Sequence, residues 1–306
     1  MQFRMFSSQN KAPNLVVGVS ICASEMHVVA VEKKENIWQL HSNSKHDLSS
    51  GGDIENIITT VLTDMGKQAC SVAITLSQES YHMVQVEKPD VPEVDIVNAL
   101  PWTLGDLVPY ESSNIVLDYI DYPVKDRMGG QKIDVFAADK SELSKLVTKL
   151  AKLKTKQLSH IHVKEVLTTE MLPDDDYARL LIIQEPGSEP FVMIIRARTI
   201  WLARRLRGFV SKFNEQVDIA QVTDALGLEI QRSMDFYESQ LKQPPLKEIL
   251  FKIQVDSAPI IERLKPFQPV NMGTLVPDLP LADVVDPACH YALASALAVT
   301  AEAVKS

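Results

Sequence analysis

The sequence predicts an α/β protein of two lobes built on one repeated unit, with a small α+β subdomain inserted in the first. Three observations predict it. At 306 residues the chain is about twice the length of an ordinary domain. The order strand, strand, strand, helix, strand occurs from Leu15 to Leu76 and again from Arg179 to Val255. Within each triple the strands are separated by only a few residues, too short for helical crossovers, so they must pair antiparallel.

After a polar tail over 1–13, expected to be flexible, the strand-like segments Leu15–Ile21, His27–Glu32 and Asn36–His41 follow closely. Ser50-Gly51-Gly52-Asp53 opens a helix whose apolar residues Ile54, Ile57, Ile58, Val61, Leu62 and Met65 recur at helical spacing. Ser71–Leu76 is a strand of the buried type. The inserted subdomain spans about 80–156. It holds a strand at Tyr81–Lys88, a helical face of Val94, Val97, Leu100, Leu104 and Leu107 with a break expected before Pro101, and strands at Asn114–Tyr122 and Lys132–Ala137. A turn at Met128-Gly129-Gly130 joins those two strands, the amphipathic helix Ser141–Leu153 follows, and the strand-like Ser159–Val166 leads back to lobe 1, which closes at 177.

Lobe 2, expected over 178–306, opens with strands at Arg179–Ile183, Phe191–Arg196 and Thr199–Ala203. A long helix carries Ile219, Val222, Leu226, Ile230, Met234, Tyr237 and Leu241 and is stopped by Gln243-Pro244-Pro245. Leu246–Val255 is a strand, Ala258–Leu264 a short helix, and the Pro-rich 266–285 loop or edge. Asp286-Pro287 caps a last Ala-rich helix over 286–304. This duplicated order is that of the actin-like ATPase (ribonuclease H-like) fold.

Composition excludes several function classes. With 45% hydrophobic and 23% charged residues the chain is neither disordered nor fibrous. Its 31 Lys+Arg against 40 Asp+Glu leave −9, against general nucleic-acid binding but open to a basic partner. Cys22, Cys70 and Cys289, odd in number and far apart, read as buried reduced thiols. The start lacks the apolar core of a signal peptide, and no run of about 18 apolar residues occurs. The expected location is therefore the cytoplasm, or a membrane surface reached through something else.

Three motifs carry a family resemblance. Glu229-Ile230-Gln231-Arg232-Ser233-Met234-Asp235-Phe236-Tyr237 resembles the E-I-x-R-S-x-x-x-Y helix of PilM-like proteins, the actin-like components of type IV pilus assembly. Ala99-Leu100-Pro101-Trp102-Thr103-Leu104 looks like the A-L-P-W-x-L stretch of two relatives. One is the cytoplasmic domain of the type II secretion protein GspL, and the other the branch serving the mannose-sensitive haemagglutinin (MSHA) pilus. The helix from Pro287 is similar to the C-terminal helix of the family. Length and the missing transmembrane segment fit the pilus branch better than GspL.

The resemblance implies an ATP–Mg cleft, and the residues depart from it. A phosphate site needs small residues in tight hairpins and acids that hold Mg²⁺ through water. Where the family's first loop resembles G-I-D-I-G-S-S-S, this chain has Gly18-Val19-Ser20-Ile21-Cys22-Ala23-Ser24-Glu25. Ser20 stands for the aspartate and Cys22 for the hairpin glycine. The second loop, D-I-G in the family, reads Gln184-Glu185-Pro186-Gly187-Ser188, with its acid displaced and one N–H donor lost to Pro186. The adenine Gly-Gly pair is replaced by Leu250-Phe251-Lys252-Ile253-Gln254. Gly18, Ser20, Ser24, Gly187, Ser188, Glu229 and Arg232 are thus the expected remnant of a nucleotide cleft. Glu229 and Arg232, one turn apart, equally suit a solvated helix face. No catalytic residue, resident metal or firm cofactor is expected; the expectation is a pseudo-ATPase scaffold.

Residues 87–121 hold Glu87, Asp90, Glu93, Asp95, Asp106, Glu111, Asp118 and Asp121 against Lys88 alone, with Trp102, Leu104, Val108 and Tyr110 among them. Apolar anchors ringed by acids suit a short basic-hydrophobic peptide. The resemblance implies that the cytoplasmic tail of a bitopic PilN-like protein (MshJ in the MSHA system) docks here. Trp102 packing in the subdomain core is the competing reading. His160 and His162 share a strand face, with no third metal ligand beside them. Arg196, Arg198, Arg204, Arg205, Arg207 and Lys212 form a basic run whose strand positions read as ordinary alternation. The stretch from Arg204 to Lys212 stays open as a contact for lipid phosphates. An ATP-gated switch and a GspL-type secretion component remain the alternatives to the pilus scaffold.

Overall fold

A computed structural model describes residues 14–49, 53–66, 68–125, 129–210, 213, 218–268 and 270–305. The tail over 1–13, Ser50-Gly51-Gly52, Met128 and Lys212 lie outside the described residues. The chain divides into two units, one running to Leu167 and resuming at Leu279, the other Thr168–Asp278.

The first unit opens with β1 (Leu15–Ile21), β2 (Glu25–Lys34) and β3 (Ile37–Asp47), all antiparallel. Then come α1 (Ile54–Asp64) and β4 (Cys70–Thr75), which returns parallel to β1. All seven residues of β1 are buried, as a strand covered on both faces requires. Asp53 accepts the Glu55 backbone N–H as the α1 cap, and Ile58 and Leu62 face inward. The insert follows as β5 (Tyr81–Glu87), α2 (Ile96–Leu104), β6 (Ile115–Lys125) and β7 (Gln131–Asp139), with strand order β5-β7-β6. Next are α3 (Lys140–Ala151), β8 (Lys156–His162) and α4 (Lys164–Glu170). β8 pairs parallel with β4 and completes the sheet β3-β2-β1-β4-β8.

Two local expectations change. Residues 164–166, read as strand, begin α4, where the Tyr81 hydroxyl accepts the Lys164 backbone N–H at 3.4 Å and donates to the Glu165 carboxylate at 2.5 Å. α2 runs through Pro101 without the expected break. The carbonyl left without a donor belongs to Val97, one turn back on the exposed side. The buried face of α2 is Ile96, Leu100 and Leu104, so Val94, Val97 and Leu107 point outward instead.

The second unit repeats the plan with β9 (Arg179–Ile183), β10 (Phe191–Arg196), β11 (Thr199–Arg205), α5 (Ile219–Asp235), β12 (Glu248–Lys252), α6 (Ala258–Leu264) and β13 (Asn271–Thr274). Its order, β11-β10-β9-β12-β13, matches the first sheet position for position. Antiparallel pairing joins β9 to β10 and β10 to β11, and parallel pairing joins β9, β12 and β13. Asp218 caps α5, and Val222, Leu226 and Ile230 bury its inner stripe. The helix ends in a π-helical turn at Phe236–Gln240.

The last helix, α7 (His290–Lys305), corrects the expected lobe assignment: it belongs to the first unit. Ala292, Leu293, Ala296 and Val299 share a core with Val16, Val29, Val31 and Ala73. Gly18 permits that contact, because a Cβ there would lie 1.9 Å from the Ala292 carbonyl oxygen. The boundary accordingly falls after Leu167, earlier than expected.

Candidate functional site

The first-loop residues sit at the C-terminal end of β1. Gly18 gives its open side to the α7 backbone. Ser20 is fully buried, and Ser24 is half-buried in the short β1–β2 hairpin, closed by Cys22 N–H donating to the Glu25 carbonyl at 2.8 Å. Register places His27, Ser20, Thr75 and His162 in one row across β2, β1, β4 and β8. All four are buried. His27 bonds Glu25 at 2.9 Å, and His162 Nδ1 meets the Ser295 hydroxyl of α7 at 3.0 Å. The Ser20 and Thr75 hydroxyls between them find no hydrogen-bond partner among the described residues. Two such hydroxyls on paired strands suit a bridging water.

Beside this row lies a fully buried Lys164, unnoticed in the sequence, its Nζ 3.4 Å from Cys22 Sγ and 5.5 Å from the Tyr291 ring centroid. Its signal was faint: a single Lys-Glu pair opening a short apolar helix. Cys22, Cys70 and Cys289 are all buried thiols. The rings of His160 and His162 stack at 5.5 Å, and burial drives the His162 pKa down to about 3, so the imidazole is neutral.

In the second unit Gly187 takes φ 75° at the β9–β10 hairpin, while Ser188 is buried and its N–H donates to the Glu185 carbonyl. Glu185, the displaced acid, is buried and paired with Lys252 at 3.1 Å. Glu229 binds Arg204 at 2.6 Å and Arg232 at 2.8 Å. Its carboxylate is thus neutralised from two sides; the two arginines also line a shallow cavity of about 530 Å³ with Ser233, Asp235 and Phe236. The basic run is likewise spent in part, Arg196 on Asp176, Arg198 on Glu170 and Arg204 on Glu229, while Arg207 is exposed.

On the insert the partner-binding residues separate. Trp102 is 82% exposed, so the core reading of this residue is excluded. Leu104 and Val108 are buried with Ile96 and Leu100 against Val86, Leu117, Ile133 and Val135, a correction to their expected place on the contact surface. Residues 102 and 104 lie about 200° apart around a helix, so one of them had to face out. Tyr110 is half-buried and its hydroxyl meets His82 Nδ1 at 3.0 Å, whereas Asp106 and Glu111 are exposed. Val94 and Leu107, on either side of α2, are 83% and 56% exposed as well. Lys88, the only cation of the acidic stretch, is held between Glu93 and Asp121 at 3.2 and 2.9 Å. The insert therefore exposes apolar side chains and carboxylates from the same short stretch of chain.

No protein-family model and no curated protein matches the sequence. Solved structures do. A chain of a PilM–PilN type IV pilus biogenesis complex is 18% identical with a TM-score of 0.66, over 95% of this chain and 99% of that one. A protein of unknown function with an actin-like ATPase fold, from Bacteroides thetaiotaomicron, is 10% identical with a TM-score of 0.52, over 91% and 97%. The cytoplasmic domain of EpsL, an inner membrane component of the type II secretion system of Vibrio cholerae, is 12% identical with a TM-score of 0.49, over 84% and 97%. The fold is that of the actin-like ATPases.

Proposed function

We propose that this chain is a PilM-like scaffold of type IV pilus assembly, of the MshI type that serves the MSHA pilus. It binds the cytoplasmic tail of a PilN-like inner-membrane protein, MshJ in that system. The observation that carries the reading is Trp102, held out into solvent on a helix whose other face is a packed core and whose surroundings are acidic. An exposed indole costs apolar surface unless a partner covers it, and aromatic anchors dominate interface energies. The solved complex supports the choice of partner through its likeness over nearly the whole of both chains. Among the described residues no helix is long and apolar enough to cross a membrane, so the scaffold's station at the cytoplasmic side of the membrane comes through that tail.

The second part of the proposal is that the nucleotide cleft is degenerate and the protein is not an enzyme. Gly18 is occupied by helix packing, Ser20 is buried, and Glu185 and Glu229 are neutralised by Lys252 and by two arginines. Acids already paired with cations are poor Mg²⁺ holders.

The test is a fluorescence-anisotropy titration of a labelled tail peptide of the PilN-like partner against the full chain. Trp102→Ala should weaken binding by at least about tenfold, as loss of a central aromatic does. Asp106→Lys with Glu111→Lys should weaken it further at low salt than at high salt. Unchanged affinity in both variants would remove the docking face from α2.

A further inference from the structure

We infer that the exposed face of α3 is an electrostatic contact for the phosphate groups of an anionic membrane leaflet. The inference rests on the membrane-side station proposed above, because only a chain held near lipid would use such a face.

The observation is a local inversion of charge. Residues 140–156 hold six lysines and one acid, Glu142, within a chain of net charge −9. The structure sorts the six. Lys156 is buried and donates to the Gln68 carbonyl at 2.8 Å, and Lys149 is tied to Asp53 and Glu55 at 2.7 Å each. Lys145 is 59% exposed and among the described residues pairs with Glu142 alone, one turn back, the kind of surface pair that holds a side chain weakly. Lys140, Lys152 and Lys154 are exposed and form no ion pair among the described residues. The ammonium groups of Lys140, Lys145, Lys152 and Lys154 therefore face solvent.

Two of them, Lys145 and Lys152, line a shallow groove of about 480 Å³ with Ser141, Ser144, Thr148 and Lys149. Its lining is three hydroxyls and three ammoniums, with no carboxylate. The neighbouring acids are engaged with the lining itself: Asp139 caps α3 by accepting the Ser141 and Glu142 N–H groups and also accepts the Ser141 hydroxyl, Glu142 pairs with Lys145, and Asp53 and Glu55 hold Lys149, which leaves Lys152 with no ion pair among the described residues. Ammonium and hydroxyl groups are donors to phosphate oxygens. None of the six side chains is buried, so the groove has no enclosed cradle that would select one soluble phosphate. What it offers is a set of exposed donors on the last turns of α3 and just past its end, which suits an array of headgroups, each lysine near an anionic leaflet adding a comparable increment of attraction. In an otherwise acidic chain the same face would be the side of the first unit that turns toward lipid.

The experiment is flotation of the full chain with vesicles of phosphatidylcholine alone or with about one-third phosphatidylglycerol, at low salt and at roughly 300 mM salt. The chain should float with the anionic vesicles only, and several-fold less at high salt. Lys145→Glu, Lys152→Glu and Lys154→Glu together should lower the partition by about a hundredfold. A milder Lys→Gln set at the same positions guards against misfolding and should give a loss in the same direction. Equal flotation with neutral vesicles, no flotation at all, or full flotation of both variant sets would overturn the inference. Displacement from anionic vesicles by a few millimolar inorganic phosphate at constant ionic strength would also overturn it, assigning the groove to a soluble anion. A protein that binds the tail peptide but not the vesicles loses this inference alone; one that binds vesicles but not the peptide loses the docking proposal alone.

Discussion

Two buried titratable side chains in the first unit pull stability in opposite directions with pH. Asp134, on β7, receives one hydrogen bond, from Gln85 Nε2 at 3.0 Å, and burial pushes its pKa up to about 6. A raised native pKa favours the protonated folded state, so its contribution is complete below about pH 4 and is lost as pH rises through 6. His162 behaves conversely. With its pKa driven down to about 3, it contributes fully above pH 6.5, and that contribution drains as pH falls. Each accounts for at most about 1.4 kcal/mol per pH unit, so between pH 6 and 5 the two nearly cancel. Asp134→Asn should raise stability at pH 7 by about 2 kcal/mol and leave the His162 slope, stability falling from pH 6 to 5. His162→Gln should leave the opposite slope. Urea denaturation at the two pH values reads both signs; parallel slopes in the two variants would contradict the assignment.

Among the elements, α7 and the β10–β11 hairpin make the clearest demands on sequence. A methyl group at Gly18 would meet the backbone of Ala292 and Ala296, which has no rotamer by which to yield. Gly18→Ala should therefore cost about 3 kcal/mol or more and loosen α7, seen as faster amide exchange in 290–300. If Gly18 served phosphate contact alone, the same substitution would leave stability unchanged. The two-residue turn Ala197-Arg198 carries φ 49° and 54°, the left-handed region that a two-residue hairpin requires. Arg198 is anchored by Glu170, while Ala197 has no polar side chain to favour that conformation. Ala197→Asn should stabilise the second unit by about 0.5–1 kcal/mol, measurable as a raised melting midpoint.

For the whole molecule, the scaffold reading predicts indifference to nucleotide. Thermal unfolding with excess ATP–Mg should match unfolding without it. A ligand at a hundred times its dissociation constant would add about 2.7 kcal/mol, so even weak specific binding at millimolar ATP would register. A clear upward shift would restore a working cleft and end the pseudo-ATPase proposal.

Periodicity and spacing carried the duplicated order of strands and helices, to which the family resemblance added the fold, because strand alternation, apolar runs and caps such as Asp53 and Asp286 are local signals. The acidic stretch around Trp102 was legible for the same reason. Other features depend on contacts between residues far apart in sequence. That α7 closes the first unit was settled by Gly18 and Ala292, whose close approach leaves no trace in either segment alone. The outward turn of Trp102 and the inward turn of Leu104 followed from where α2 begins. The neutralisation of Glu185 and Glu229 came from Lys252 and Arg204, brought in by β12 and β11. Local patterning specifies elements, but burial and charge pairing are properties of the assembled core, where distance in space replaces distance along the chain.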